Sequence, residues 1–262
     1  MAHIKVRPDT LDAETVRFAP QALRQPLFLN SIPKSGSHLL RNILRMFVPV
    51  DQQYRAQFIQ WPNLGQHLAA FDPSTNLMSF GHLFFTDGSA IELRHVRKIL
   101  LYRDPYDWVL ARARFYVSNE FEANLEHLKD GQIGLDDLLS LMIFGIRTEV
   151  PSLTDMYELN VVAWLGSDVV PVRYEDLTRH LQNLEHPDAE SYFSFLLDSC
   201  GISSLPSNWR ERVLVGSDRQ QSATARENLT GIRIDIPSEL PEKHRRLVDY
   251  VAPGLRNMLG YE

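Results

Sequence analysis

The sequence has little of several features that would mark a particular class of protein. Its 262 residues include one cysteine, Cys200, so no disulfide can form within the chain, and a reducing compartment is favoured. No run approaches the roughly 20 apolar residues that a membrane span needs, and the N-terminal segment lacks the apolar core of a signal peptide. We therefore expect a cytoplasmic protein without a membrane span.

Positive charge is also scarce. The 27 Lys and Arg residues face 33 Asp and Glu residues, for a formal net charge of -6, and no basic bias indicates a nucleic-acid partner. No group of His or Cys has metal-ligand spacing, and no repeat or long linker divides the chain. The sequence predicts one domain over residues 1–262 that binds neither nucleic acid nor metal. It leaves the oligomeric state open, with a homodimer among the alternatives.

Short apolar runs alternate with amphipathic segments, a pattern typical of a parallel sheet covered by helices. Strands are predicted at 27–32, 77–80, 98–102 and 169–173. In the last of them, Pro171 indicates either a strand end or an edge strand. Helices are predicted after the first strand, from Pro105, and at about 152–165, 193–200 and 239–250. The polar segment 216–231 is predicted to be a long loop. The predicted fold class is α/β, with a central parallel sheet flanked by helices.

The turn between the first strand and its helix is suited to an anion. It has the sequence PKSGSH, residues 33–38, and a helix N-terminus presents unpaired N–H groups and positive potential. Gly36 allows the backbone to wrap around a phosphate, Lys34 supplies a charge, and Ser35 and Ser37 supply hydroxyl groups. The alternative is an ordinary turn with a serine cap and a solvated lysine. A Walker A loop is excluded, since the lysine precedes the glycine.

Four motifs together resemble the cytosolic-type sulfotransferases, which use 3′-phosphoadenosine 5′-phosphosulfate (PAPS). The family's PKSGT(T/S)W loop is PKSGSHL here, and its RxPxD element is similar to residues 103–107, RDPYD. The YEDL signature stands at 174–177, and residues 226–231 keep the R…G spacing of the late RKGxxG loop. The resemblance implies a P-loop-NTPase-like sulfotransferase fold, with nucleotide-binding elements at about 27–47, 98–118, 169–180 and 216–231.

The resemblance also implies a set of residues that contact PAPS as co-substrate, without a metal. They are Lys34, Ser35, Gly36, Ser37, His38, Arg103, Tyr174 and Arg226. Arg103 and Arg226 would bind the 3′-phosphate, for which a planar guanidinium is well suited. The chain departs from the family at Leu39, which replaces the adenine-stacking tryptophan, and at Ala111, which replaces a serine that contacts the 3′-phosphate.

His82 and Lys34 are the candidate catalytic residues. His82 follows the second predicted strand, where the family keeps its general base, and an imidazole can accept a proton at neutral pH. Lys34 would stabilise the departing phosphate as its charge grows. The alternative for His82 is a purely structural histidine.

The acceptor is expected to be a small, neutral molecule with a hydroxyl or amine group. Aromatic residues at Phe58, Trp61, Phe71, Phe84 and Phe85 are candidates for the pocket, or for the core beneath long loops. The predicted function is transfer of a sulfuryl group from PAPS to that acceptor. Two alternatives remain: a phosphate-loop kinase-like enzyme and a catalytically silent nucleotide-binding protein.

Overall fold

The computed structural model describes residues 3–4, 8–55, 58–119, 121–122, 125–129, 132–147, 149–222 and 234–262. The strands in these residues are β1 His3–Ile4, β2 Leu27–Ser31, β3 Ile59–Gln60, β4 Met78–His82, β5 Arg97–Tyr102, β6 Phe121–Glu122 and β7 Val169–Arg173. The α-helices are α1 Leu11–Arg17, α2 Ser37–Arg45, α3 Asp87–Glu92, α4 Pro105–Val117, α5 Leu135–Phe144, α6 Leu153–Tyr157, α7 Ala163–Leu165, α8 Tyr174–Gln182, α9 Pro187–Ser199, α10 Trp209–Ser217, α11 Glu242–Val251 and α12 Leu255–Met258. Short 3-10 turns lie at Val50–Gln52, Trp61–Gln66, Leu68–Phe71, Glu126–Leu128 and Arg219–Gln221, and a π-helical turn lies at Glu158–Val162.

Contacts between residues divide the chain into two compact units. The sheet unit comprises Pro8–Tyr102 and Leu159–Ser222, and the helical unit comprises the described parts of Met1–Arg7, Arg103–Glu158 and Ala223–Glu262.

The sheet unit is built on five strands in the order β3-β4-β2-β5-β7, and every neighbouring pair is parallel. Leu29 of the central strand pairs with Phe80 of β4 on one side and Ile99 of β5 on the other. Because parallel strands carry their carboxyl ends to one edge of the sheet, the turn after β2 and the end of β4 are neighbours. The predicted α/β class with a central parallel sheet is confirmed, and Pro171 lies in an edge strand, one of its two predicted positions.

Helix α2 covers the centre of this sheet. Its predicted apolar face, Leu40, Ile43 and Leu44, is fully buried, together with Phe47 just beyond the helix. These side chains join one apolar cluster with β2, β4, β5 and helices α8, α9 and α10. Burial of this face fixes how the N-terminus of α2 is presented at the carboxyl edge of the sheet.

The structure corrects two local predictions. The predicted helix at 152–165 is interrupted by the π-helical turn between α6 and α7. The predicted loop at 216–231 begins inside α10, and Arg219–Gln221 form a 3-10 turn, while residues 223–231 lie outside the described residues. Apolar periodicity does not reveal the end of α10, because Gly216 packs through its backbone.

The helical unit contains α4, whose first residue is Pro105, as predicted. Buried Arg112 of α4 donates hydrogen bonds to the carbonyl oxygens of Met142 at 2.9 Å and Pro151 at 2.5 Å. Its guanidinium carbon also lies 4.6 Å from the ring centroid of Trp108. No helix among the described residues is both long enough and apolar enough to cross a membrane.

We predict that Gly216→Ala destabilises the protein. A Cβ atom at this position would lie 2.5 Å from the Ile43 Cα atom. Relief of this clash requires α10 and α2 to move apart, because the atoms in contact belong to the backbone of α2. We expect the free energy of unfolding, measured in urea, to fall by about 1–3 kcal/mol. Gly65→Ala is the control, because nothing lies within 4 Å of its added Cβ. Equal stability of the two variants would contradict the close packing of α10 on α2.

Candidate active site

The turn between β2 and α2 has an unusual backbone. Lys34 has a φ of 68° and Gly36 a φ of 92°, both in the left-handed region that favours glycine. A Cβ atom at Gly36 would lie 2.6 Å from the ring of Tyr174, the first residue of α8. The glycine therefore serves two purposes, since it permits the turn and admits the tyrosine ring above it. Tyr174, predicted to lie near the nucleotide, is placed directly against the loop.

The N-terminus of α2 has no side-chain cap among the described residues. Gly36 is the capping residue, no side chain caps the helix, and its first turn contains no acidic residue. In the described part of the chain, no acceptor is found for the backbone N–H groups of residues 36–39. These donors and the helix dipole favour a negatively charged group at this position.

The two loop serines differ in their contacts. Ser35 is fully buried, and its hydroxyl donates to the carbonyl oxygens of Ile32 at 2.7 Å and Leu101 at 3.3 Å. The hydroxyl of Ser37 instead accepts a hydrogen bond from Ser31 at 2.7 Å, which leaves its own proton for another acceptor. In this geometry Ser35 holds the turn, and Ser37 is the loop hydroxyl that can donate to a ligand.

His82 ends β4 beside this turn and is tied to the last residue of β2. Its Nδ1 atom lies 2.7 Å from the Ser31 carbonyl oxygen and 3.2 Å from the Ser31 hydroxyl. A carbonyl oxygen can only accept, so Nδ1 carries the proton and Nε2 carries the lone pair. One hydrogen bond thus sets both the orientation and the tautomer that a general base requires.

The segment after His82 is clamped by residues that the sequence analysis missed. Asn30 of β2 donates to the Leu83 carbonyl at 3.0 Å and accepts from the Leu83 N–H at 2.9 Å. The same carbonyl accepts hydrogen bonds from Asn160 and Trp164, each at 2.9 Å. Asn30 stands out in the sequence as an asparagine in an otherwise apolar strand. The sequence does not reveal which residues it contacts, because the contacting residues of this clamp are 53 or more positions apart along the chain.

Positive charge accumulates around the turn and changes the two nearby histidines. Burial, aided by the charges of Arg41, His82 and Lys34, lowers the pKa of His38 to about 3. Burial and the charge of Lys34 likewise lower the pKa of His82 to about 4. Both imidazoles are therefore neutral near pH 7. These interactions also show that His82 lies close to Lys34 and His38 of the turn.

The predicted pocket aromatics divide between the site and the core. Phe58 stacks on His82 with ring centroids 4.9 Å apart, and it contacts the His38 ring at 5.1 Å. Phe71 is buried against Phe28, whereas Trp61 is 46% exposed. Among these three predicted aromatics, Phe58 is the one in contact with the candidate base.

Arg103 belongs to the helical unit, where the start of α4 is strongly anchored. Tyr157 donates a hydrogen bond to the Arg103 carbonyl at 2.8 Å. Asp104 caps α4 by accepting from the Tyr106 N–H at 2.9 Å, and Arg256 donates to both of its carboxylate oxygens, at 3.2 and 2.9 Å. The backbone that presents Arg103 is thereby fixed. Its assignment to a 3′-phosphate stays a prediction.

Two of the sequence predictions concern Arg226 and metal binding. Arg226 lies outside the described residues. Within the described ranges, no group of three or more His, Cys, Asp or Glu side chains is placed to hold a metal ion.

We predict that acid destabilises the protein through His38 and His82. Their pKa values are lowered from 6.5 on folding, so below pH 6.5 the unfolded chain binds protons that the folded chain does not. Stability should therefore fall as the pH drops from about 6.5 toward about 4, by at most about 1.4 kcal/mol per pH unit for each proton. Urea unfolding at several pH values measures this slope. His38→Gln and His82→Gln should flatten it, unlike His95→Gln at an exposed ring; identical slopes in all three would contradict the assignment.

Comparison with known proteins gives a structural match but no sequence match. No protein-family model matches the chain, and no curated protein sequence matches it. Its structure is similar to that of the mouse sulfotransferase SULT7A1 complexed with PAP, with a TM-score of 0.56 and 15% sequence identity. The match covers 95% of this chain and 91% of the mouse chain. At this identity the likeness shows the fold alone: a parallel five-stranded sheet flanked by helices, as in the sulfotransferases.

Proposed function

We propose that this protein transfers the sulfuryl group of PAPS to a hydroxyl or amine of a small-molecule acceptor. The observation that carries the proposal is the juxtaposition of two features: an open helix N-terminus beside Lys34, and a neutral histidine tied to the same strand by the Ser31 carbonyl. One suits a phosphosulfate and the other suits deprotonation of an acceptor. In the structural neighbour, the bound molecule is PAP. PAP (3′,5′-diphosphoadenosine) is the nucleotide that remains when PAPS has lost its sulfuryl group.

The donor would bind through the β2–α2 turn. Its 5′-phosphosulfate would accept hydrogen bonds from the open N–H groups of residues 36–39 and from the Ser37 hydroxyl. Lys34 would place its ammonium against the bridging oxygen, where negative charge develops as the S–O bond breaks. Tyr174, packed over Gly36, would bound this site on the side of β7.

His82 would act on the acceptor from the β4 side of the turn. The acceptor oxygen or nitrogen forms a new bond to sulfur, and its proton passes to Nε2 of His82. The S–O bond to the 5′-phosphate breaks, and PAP leaves with the electron pair. The Nδ1 hydrogen bond to Ser31 stabilises the imidazolium formed in this step, because a carbonyl oxygen faces the proton that stays on the ring.

Incubation with PAPS and a panel of phenols, alcohols and amines tests the function, with mass spectrometry to detect addition of one SO₃ group. Calorimetric titrations with PAP and with ATP-Mg accompany it. Transfer to an acceptor, with PAP binding, supports the proposal. Binding of ATP-Mg without PAP would favour the kinase-like alternative, and PAP binding without transfer would favour the catalytically silent one.

We predict that His82→Ala lowers kcat for sulfuryl transfer at least about 100-fold, since general bases typically contribute a factor of this size. His82→Gln should be equally impaired, because an amide cannot accept the proton. Steady-state kinetics at saturating PAPS measure the effect, with His95→Gln as the control. Turnover near that of wild type in either His82 variant would remove this residue from the mechanism.

Lys34→Ala should also lower kcat at least about 100-fold, because the charge that this lysine serves grows in the transition state. The KM for PAPS should change less than kcat, which distinguishes this role from simple binding. Lys243→Ala removes an exposed lysine of the helical unit and is the matched control. A variant that loses only affinity for PAPS would contradict the assigned role of Lys34.

A further inference from the structure

Helix α2 also carries His38, for which the sequence resemblance implies a PAPS contact, and Arg41, which the proposed chemistry does not use. His38 and Arg41 are three residues apart, so they share one face of the helix. The guanidinium carbon of Arg41 lies 3.8 Å from the ring centroid of Phe80 in β4. Both side chains are half-buried, and neither forms a hydrogen bond or ion pair in the described part of the chain.

Arg45, the next arginine of the same helix, differs from Arg41 because it has several hydrogen-bond partners. Arg45 donates to Asp9 at 2.7 Å, to Asp12 at 2.8 Å and to Gln53 at 3.0 Å. Asp12 is also paired with Arg55 at 2.9 Å. Asp9 and Asp12, the two carboxylates whose charges act on Arg41, are thus paired with other arginines. A guanidinium has five N–H donors, and leaving them unmatched in a half-buried position costs free energy that a bound anion would recover.

The electrostatics of the position agree with this geometry. Burial, followed by the charge of Arg45, lowers the pKa of Arg41 to about 10, so the group remains cationic at neutral pH but is poorly solvated. Burial, followed by the charge of Arg41, lowers the pKa of His38. An anion placed here would be attracted by Arg41 and could accept a hydrogen bond from the neutral His38 ring.

A continuous aromatic cluster joins Arg41 to the candidate base. From Phe80, over which Arg41 lies, the next ring is Phe58 at 4.5 Å, and Phe58 stacks on His82 at 4.9 Å. Arg41, Phe80, Phe58 and His82 therefore form one continuous row of side-chain contacts. All of these residues lie on the β4 side of β2, opposite to the side occupied by Tyr174.

We propose that Arg41 and His38 form an anion subsite for the acceptor, which is therefore a small hydroxyl- or amine-bearing carboxylate. This inference rests on the proposed function and replaces the neutral acceptor expected from the sequence. The planar fork of Arg41 pairs with both carboxylate oxygens. The apolar body of the acceptor contacts Phe58, and its hydroxyl or amine reaches Nε2 of His82.

The test compares carboxylates with their own methyl esters on the PAP-loaded protein. The probes are 4-hydroxybenzoate, 4-hydroxyphenylacetate and 3-(4-hydroxyphenyl)propionate, and binding is measured by calorimetry. We expect at least one carboxylate to bind about 10- to 100-fold more tightly than its ester, which corresponds to a charge-assisted hydrogen-bond pair. Arg41→Gln should abolish the preference and His38→Gln should reduce it. Arg55→Gln, which removes a nearby exposed arginine, should retain it.

The outcomes separate this inference from the proposed function. Absence of PAP binding would overturn the proposed function. PAP binding without preference for any carboxylate over its ester would overturn the subsite and leave the function standing. A preference that survives Arg41→Gln would overturn the role of Arg41. Should that variant fail to fold, Arg41→Lys decides, because lysine keeps the charge but cannot form two parallel N–H···O bonds. A preference equal to that of wild type in Arg41→Lys would overturn the bidentate contact.

Discussion

The hydrogen bond between His82 Nδ1 and the Ser31 carbonyl connects the two halves of the proposed chemistry. Ser31 ends the strand that leads into the anion-binding turn, and His82 ends the neighbouring parallel strand. This contact fixes the tautomer of the imidazole and its distance from the turn. The Asn30 side chain stabilises the same region, because it forms hydrogen bonds with both the backbone N–H and the carbonyl oxygen of Leu83, the residue after His82. The proposed catalytic geometry therefore depends on the register of β2 and β4.

Several cationic side chains lie around that contact. The first turn of α2 contains no carboxylate, and Lys34 and Arg41 both influence the neighbouring His38. Such an arrangement is unfavourable for the unliganded protein, because the positive groups repel one another and the guanidinium is poorly solvated. It becomes favourable when anions bind, which is why we assign two of them: a phosphosulfate at the turn and a carboxylate over Phe80.

Several features could be predicted from local sequence because local sequence determines them. The β2–turn–α2 unit follows from an apolar strand, Gly36 and the buried face of α2; Pro105 marks a helix start, and Pro171 an edge strand. Two features could not be predicted: the clamp on Leu83, and the lack of an ion pair for Arg41 among the described residues. Both depend on residues brought together by the fold, and an arginine on a helix face looks the same in sequence whether it is paired or not.

The charge expected for the acceptor changes once the contacts formed by the fold are considered. Net charge favoured a neutral molecule, but a total of -6 says nothing about where the charges lie. Arg45 forms an ion pair with Asp9, whereas Arg41 lies over the ring of Phe80. This difference between the two arginines is apparent only in the three-dimensional structure. The same holds for Ser35 and Ser37, which are equivalent in the motif and differ in their partners.

A crystal structure of the protein with PAP tests the central claim most directly. We predict that the 5′-phosphate accepts hydrogen bonds from the backbone N–H groups at the start of α2 and from Ser37 and Lys34. We also predict that Nε2 of His82 faces the space beyond that phosphate where an acceptor would stand. A nucleotide bound away from the β2–α2 turn, or a His82 ring turned away from the phosphate, would contradict it.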